Sequence, residues 1–426
     1  MAEPDASKEA TAEFLRGHFR RYYRETRPRM PDRFGRREFG FMFFNVGMVQ
    51  RHRGFPKEED LRDFLVSRVP AHAYYSSAYY EKPDAPTMEE KGWLGADLVF
   101  DLDADHIPTA KEMTYPEMLE AVRVKILKLY DEFLKADFGF DEEHMRLVFS
   151  GGRGYHVHVF DERVWALGSH ERREIVDWVT AKGLDVDAAF RESAFDSREF
   201  QGRVRVKKRL VAPTAEDAGW RGKIFRGMTE LTARLESMKA EDAIAFLTAF
   251  EGVKETQAED LYENLFKART TKPRVIRGID RLREGQIEAL SDRSRDLLIR
   301  IVKDLQQVRL DVYHGVSLEG ITQRAETDEP VTSDIKRLIR MPSSLHGRTG
   351  LAVVELTRDQ VDGFRPLRDA VPATWGDEPV TMRLMGRINL EIRDEAFNLA
   401  PGVNEIPQHL AIFLAARGLA HIVHEA

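Results

Sequence analysis

The stretch Leu98-Val99-Phe100-Asp101-Leu102-Asp103 decides the fold. Three consecutive apolar residues suit a strand buried on both faces. Side chains alternate along a strand, so Asp101 and Asp103 project to one side and Leu102 to the other. Two carboxylates together at the end of a buried strand repel each other unless a cation lies between them. Mg²⁺ or Mn²⁺, hard cations that take oxygen ligands, answer that need. An isolated pair also fits a strand running out into a solvated acidic turn. Metal-dependent glycosyltransferases carry a similar pair, although nothing else in the chain points to a sugar site. The pair indicates metal and phosphate chemistry without choosing a reaction.

Downstream, Phe149-Ser150-Gly151-Gly152-Arg153-Gly154-Tyr155-His156-Val157-His158-Val159-Phe160 sets a turn with three glycines between two strand-like runs. Backbone N–H groups in such a turn approach an anion closely. Arg153 adds a fixed charge suited to phosphate, and His156 and His158 share a face of the outgoing strand. The turn lacks P-loop spacing, and a strand rather than a helix follows it. Alone it also reads as a glycine-rich hairpin with a core histidine.

A third cluster runs from Asp328 to Leu351. Thr332 or Ser333 is expected to cap a short basic helix that Pro342 stops, with Arg337 and Arg340 three apart on one face. His346 and Arg348 occupy the turn before the next strand. The cluster suits a triphosphate clamp with Asp328 as an extra metal ligand. A solvated basic helix has the same composition.

Around these motifs the chain has 426 residues, 65 Lys+Arg against 72 Asp+Glu, a net charge of −7 and no cysteine. The length fits two to three domains of about 150 residues. Hydrophobic content of 42% argues against disorder. Without cysteine there is no disulfide, thiolate zinc site, Cys-ligated iron–sulfur cluster or cysteine nucleophile. Met1–Lys8 lacks a charged start followed by an apolar core, and the apolar runs are too short or interrupted to span a bilayer. A soluble cytoplasmic protein without a membrane partner is expected. The periodicity predicts an α/β (α+β) core over residues 1–160 and 306–426 and a helical subdomain over 161–305. Within the latter, Leu297, Leu298, Ile301, Val302 and Leu305 mark one helix face.

Together the stretches resemble the small, catalytic subunit of archaeal and eukaryotic DNA primase. Arg37-Glu38-Phe39-Gly40-Phe41, the segment His72–Tyr80, the acidic pair, the glycine turn and Arg340–His346 carry the resemblance, in order, across residues 37–351. It implies a primase catalytic core that makes short RNA, or DNA, primers from NTPs on single-stranded DNA. Asp101, Asp103 and Asp328 are then the catalytic, metal-holding acids, with Asp334 a rival for the third place. Ser150, Gly151, Arg153 and His156, with Arg340 and His346, bind the nucleotide. A large subunit is the implied heterodimer partner.

One departure stands out. Family members carry a cysteine-rich zinc knob soon after the acidic pair, whereas residues 105–130 here offer only His106, Glu112, Glu117 and Glu120. No zinc and no iron–sulfur cluster is expected in this chain. Template DNA needs positive surface, and two runs offer it. Arg16, Arg20, Arg21, Arg24, Arg27 and Arg29 interleave with Tyr22 and Tyr23, suiting phosphate contact and base stacking. Arg203, Arg205 and Lys207 would share a strand face. Two other readings stay open: a gap-filling repair polymerase of the same superfamily, and a catalytically silent DNA- or partner-binding scaffold.

Overall fold

The computed structural model describes residues 3–44, 46–107, 110–200, 203–271, 274–308 and 312–423. It divides into two units, Met1–Val176 with Glu326–Ala426, and Asp177–Ala325. Eight strands of the first unit frame the site: β1 (Phe39–Met42), β2 (Gln50–Arg53), β3 (His72–Ser76), β4 (Leu98–Asp103), β5 (Met145–Phe149), β6 (Gly154–Val159), β7 (Leu338–Arg340) and β8 (Val354–Leu356). They form two antiparallel sheets, ordered β7-β3-β1-β2 and β8-β5-β6-β4. Helices and antiparallel sheets together make an α+β fold. Among the described residues no helix is long and apolar enough to cross a membrane.

Strand β4 is buried as its sequence requires: Leu98, Val99, Phe100 and Leu102 are inaccessible, while Asp101 and Asp103 stay partly open. The helix Tyr115–Lys128 covers the opposite face of this sheet through Leu119, Val122 and Ile126. Its start is fixed by a capping box, in which the Glu117 carboxylate accepts the Thr114 N–H at 2.7 Å. Glu117 is thus engaged in the cap, and Glu120 pairs with Arg123 at 2.6 Å.

Arg37, in the motif that opens β1, is a buried staple rather than a surface cation. Its guanidinium lies 2.6 Å from Asp97 and donates to the carbonyls of Ser76 and Ser77 at 2.8 Å. Tyr79 donates its hydroxyl to the other Asp97 oxygen at 2.5 Å. The group that ends β3 is thereby tied to the residue that precedes β4.

The sequence placed Arg337–Met341 on a helix, and the structure corrects this. The helix is only Glu329–Ser333; Leu338–Arg340 is the edge strand β7, with Ile339 opposite Tyr75 and Arg340 opposite Tyr74 of β3. Arg337 precedes β7 and Arg340 ends it, so no helix face joins them, yet both line the same cleft. Alternation sends Ile339 into the core and Arg340 to the other side.

The second unit has its own core, built from Ile224, Met228, Leu231, Phe246, Leu261, Leu298, Ile301, Val302 and Leu305. The helix Asp292–Gln307 buries the five residues expected on its face, and Ser291 caps it. The stretch 161–305 is not wholly helical. Arg191–Phe200 and Arg203–Val211 form an antiparallel hairpin, and Arg269–Thr271 pairs with Arg274–Ile276. Arg203, Arg205 and Lys207 lie on a strand of the first hairpin, and their side chains fall outside the described residues.

Candidate active site

The register of β4 against β6 sets Asp101 opposite His156 and Asp103 opposite Gly154. His156 Nε2 lies 3.2 Å from Asp101 Oδ1. Asp103 accepts the Asp105 N–H at 3.1 Å and lies 3.5 Å from the Arg153 guanidinium, which also holds Asp105 at 2.5 Å. The carboxylates of Asp101 and Asp103 keep 22% and 33% exposure, so both face a cleft rather than the core.

The glycine turn is shaped by contacts that tolerate no side chain. Gly151 has φ +75°, and a Cβ there would come within 2.7 Å of His346 Cβ. A Cβ on Gly154 would meet the Leu102 carbonyl at 2.5 Å. The buried Ser150 Oγ accepts the N–H groups of Gly152 and Gly154, each at 3.3 Å, and so sets the turn's curvature. Tyr115 and Thr349 donate their hydroxyls to the carbonyls of Gly152 and Gly151, each at 2.5 Å. Residues nearly two hundred positions apart in sequence thus meet backbone to side chain.

Asp101, Asp103, Ser150, Arg153, His156, Arg340 and His346 converge on one cleft of about 850 Å³. Gly151 packs behind its wall, against His346. Asp328 is carried next to Asp101 by its main chain, its N–H donating to the Asp101 carbonyl at 2.9 Å, but it is not among the residues lining the cleft. Asp334 sits past the short helix, exposed, with its carboxylate accepting the Lys336 N–H at 2.8 Å.

Among the lining residues that the sequence reading did not place in the site are His72, Tyr74 and Arg417, while Arg348 of the expected clamp cluster does line it. His72 and Tyr74 are i and i+2 on β3, so strand alternation in the segment His72–Tyr80 could have paired them. Arg417 follows the helix Gln408–Ala416 and lies over the rings of Tyr115 and Phe413.

Guanidinium groups crowd the cleft around the carboxylates, Arg153, Arg340 and Arg348 among them. Burial, then Arg340, His72, Arg348 and Arg153, hold His346 well below the ordinary histidine range. His72 is held down to about 3 by burial and by Arg340 and Arg348. Burial also lowers Arg340, while Tyr74, Asp101 and Asp103 oppose that shift. Both imidazoles are neutral among guanidinium groups, which leaves the cleft a concentrated positive field facing two carboxylates.

The N-terminal basic stretch is only partly what its sequence offered. Arg16–Arg24 lie on the helix Glu3–Glu25, where Arg21 and Arg24 are exposed and Arg20 is half-buried, while Arg27 and Arg29 follow its end. Tyr22 and Tyr23, expected to stack on bases, are buried instead. Tyr22 donates to the Ser343 carbonyl at 3.1 Å and Tyr23 to the Pro70 carbonyl at 3.4 Å, so their hydroxyls anchor the helix to the core. An amphipathic helix buries its aromatic stripe and leaves its arginines outside.

Comparison with known proteins places these motifs in one lineage. The sequence pattern of the family "DNA primase small subunit" matches residues 100–358, which contain the acidic pair, the glycine turn and His346. The DNA primase small subunit PriS of Methanothrix thermoacetophila is 40% identical over 417 residues, covering 97% of this chain and 99% of that protein. PriS of Methanocella arvoryzae is 40% identical over 426 residues, covering 96% and 98%. PriS of Halobacterium salinarum is 36% identical over 419 residues, covering 97% and 98%. With the matched pattern holding the acidic pair, the glycine turn and the His346 turn, and the relatives covering 96–97% of this chain, the chain belongs to the DNA primase small-subunit family.

Proposed function

We propose that this chain is the catalytic subunit of a DNA primase. It joins ribonucleotides, or deoxyribonucleotides, into short primers on single-stranded DNA for replication, alongside a large-subunit partner. The observation that carries this reading is that one cleft brings together two carboxylates, Asp101 and Asp103, and three guanidinium groups, Arg153, Arg340 and Arg348. A nucleoside triphosphate needs both.

The donor set fits hard divalent cations. Asp101 and Asp103 offer oxygen atoms from one strand face, partly open to solvent, with no soft ligand beside them. Asp101 and Asp103 would hold Mg²⁺ or Mn²⁺, and Asp328, beside Asp101 through its main chain, is the third candidate ligand. When bound, such cations acidify the attacking 3′-hydroxyl and neutralise charge on the transferring phosphoryl group. The side chains do the rest. His156 orients the Asp101 carboxylate through its Nε2. Ser150, by accepting two N–H groups of the glycine turn, fixes its shape so that Arg153 faces the phosphates, and Arg340 and His346 meet them in the same cleft.

Incubation with unprimed single-stranded template, NTPs and Mg²⁺ or Mn²⁺ tests the reading. New oligomers support it, most clearly with the large subunit present. Extension of primed template alone would instead make the chain a gap-filling polymerase, and no product with either subunit composition would leave a binding scaffold.

A further inference from the structure

We propose that His72 is a positioning residue that holds Arg340 and the His346–Gly347 turn together, so that both meet a nucleotide's phosphates in register. The inference rests on the phosphate-binding role proposed above for Arg340 and His346.

His72 opens β3, and Arg340 ends β7, the strand paired with it. The Arg340 guanidinium lies 2.7 Å from His72 Nδ1, and the Gly347 N–H reaches the same nitrogen at 3.2 Å. A guanidinium and a backbone N–H can only donate, so Nδ1 bears the lone pair and the ring proton sits on Nε2. One nitrogen therefore accepts from two segments: the edge strand carrying Arg340 and the turn carrying His346 and Arg348. The His346 ring meets His72 edge to face, with centroids 4.9 Å apart. Gly347 lies close against the imidazole, since a Cβ there would come within 2.9 Å of His72 Nε2. The imidazole is buried and stays neutral at working pH, so the acceptor is always available.

A free arginine gives up rotamer entropy when it grips phosphate; one already fixed by an acceptor gives up less. His72 thus favours nucleotide binding while touching no reacting atom, and its loss falls on KM more than on kcat.

The test compares two polar replacements of similar bulk. In His72→Asn the side-chain oxygen stands close to the Nδ1 position and keeps the acceptor. In His72→Gln the amide reaches toward the Nε2 position and misplaces it. NTP KM and kcat, with thermal melting, are measured for both, for Arg340→Ala and for Arg340→Ala combined with His72→Gln. The expected result is a KM raised about tenfold in His72→Gln but within about threefold of wild type in His72→Asn, with kcat little changed in either. In the Arg340→Ala background, His72→Gln adds clearly less than its roughly tenfold effect in wild type, the remainder coming from the His346–Gly347 turn. Equal KM values in the Asn and Gln variants, or a full additional loss in the Arg340→Ala background, overturns the positioning role. An unchanged KM in Arg340→Ala itself overturns the phosphate role of Arg340, a separate failure.

Discussion

His156 faces Asp101 across the β4–β6 pair, its Nε2 3.2 Å from the carboxylate. The acidic pair and the glycine turn are therefore halves of one hydrogen-bonded ladder. Whatever disturbs one strand is felt by the other.

Asp101→Asn removes charge while conserving shape. The expected outcome is a loss of nucleotide incorporation by at least about a thousandfold, with thermal melting and circular dichroism unchanged. Primer synthesis by this variant at the wild-type rate would remove Asp101 from the mechanism.

Gly151→Ala asks a residue with φ +75° to carry a Cβ into His346. We expect about 1–3 kcal/mol of destabilisation and a raised nucleotide KM. Urea denaturation and steady-state kinetics on the same preparation check both.

Arg37 and Asp97 form a buried pair 2.6 Å apart. Asp97→Ala strands the guanidinium and should cost about 3–5 kcal/mol, whereas Arg37→Met combined with Asp97→Leu should cost less than the single change. Chemical denaturation of the two variants gives the comparison directly. Greater loss in the double variant would mean that the pair stabilises by more than mutual satisfaction.

Acid should unfold the protein through its histidines. Burial, Arg340 and Arg348 hold His72 down to about 3; burial, His156 and Arg37 hold His158 at about 3, against an ordinary value of 6.5. The unfolded chain takes up these protons near pH 6.5 and the folded chain only near 3. Their stabilising contribution is thus complete above pH 6.5 and is lost as the pH falls through that window. Melting temperature against pH should show the decline. His158→Gln should flatten the stability slope by up to about 1.4 kcal/mol per pH unit.

Arg21→Glu with Arg24→Glu tests the exposed side of the N-terminal helix. Template affinity should fall, and the slope of log affinity against log salt should become shallower by about 0.7 for each phosphate that these arginines neutralise. Fluorescence anisotropy with labelled single-stranded DNA measures both. An unchanged slope assigns template binding to other residues.

Much of the site was legible because its chemistry is written locally. Asp101 and Asp103 sit two apart on an apolar strand, and glycines cluster where backbone meets backbone. What stayed hidden depends on partners distant in sequence. Leu338–Arg340 looks helical by charge spacing and becomes a strand only because β3, more than two hundred residues earlier, offers it an edge. Tyr22 and Tyr23 look like a stacking platform until Ser343 and Pro70 claim their hydroxyls. His72 opens a segment that carries the resemblance, but its own role appears only when Arg340 and Gly347 converge on one nitrogen.

The order of the strands has a consequence for how the protein is made. When Val176 leaves the ribosome, β3 still lacks β7 and β5 still lacks β8, because both partners follow the entire Asp177–Ala325 unit. Each nascent sheet must wait with a bare edge open to other chains, and the His346 turn that seals the glycine loop likewise arrives only after the second unit. Synthesis halted at Val176 should therefore yield a sticky, aggregating fragment, and the cleft becomes functional only once translation has passed the second unit.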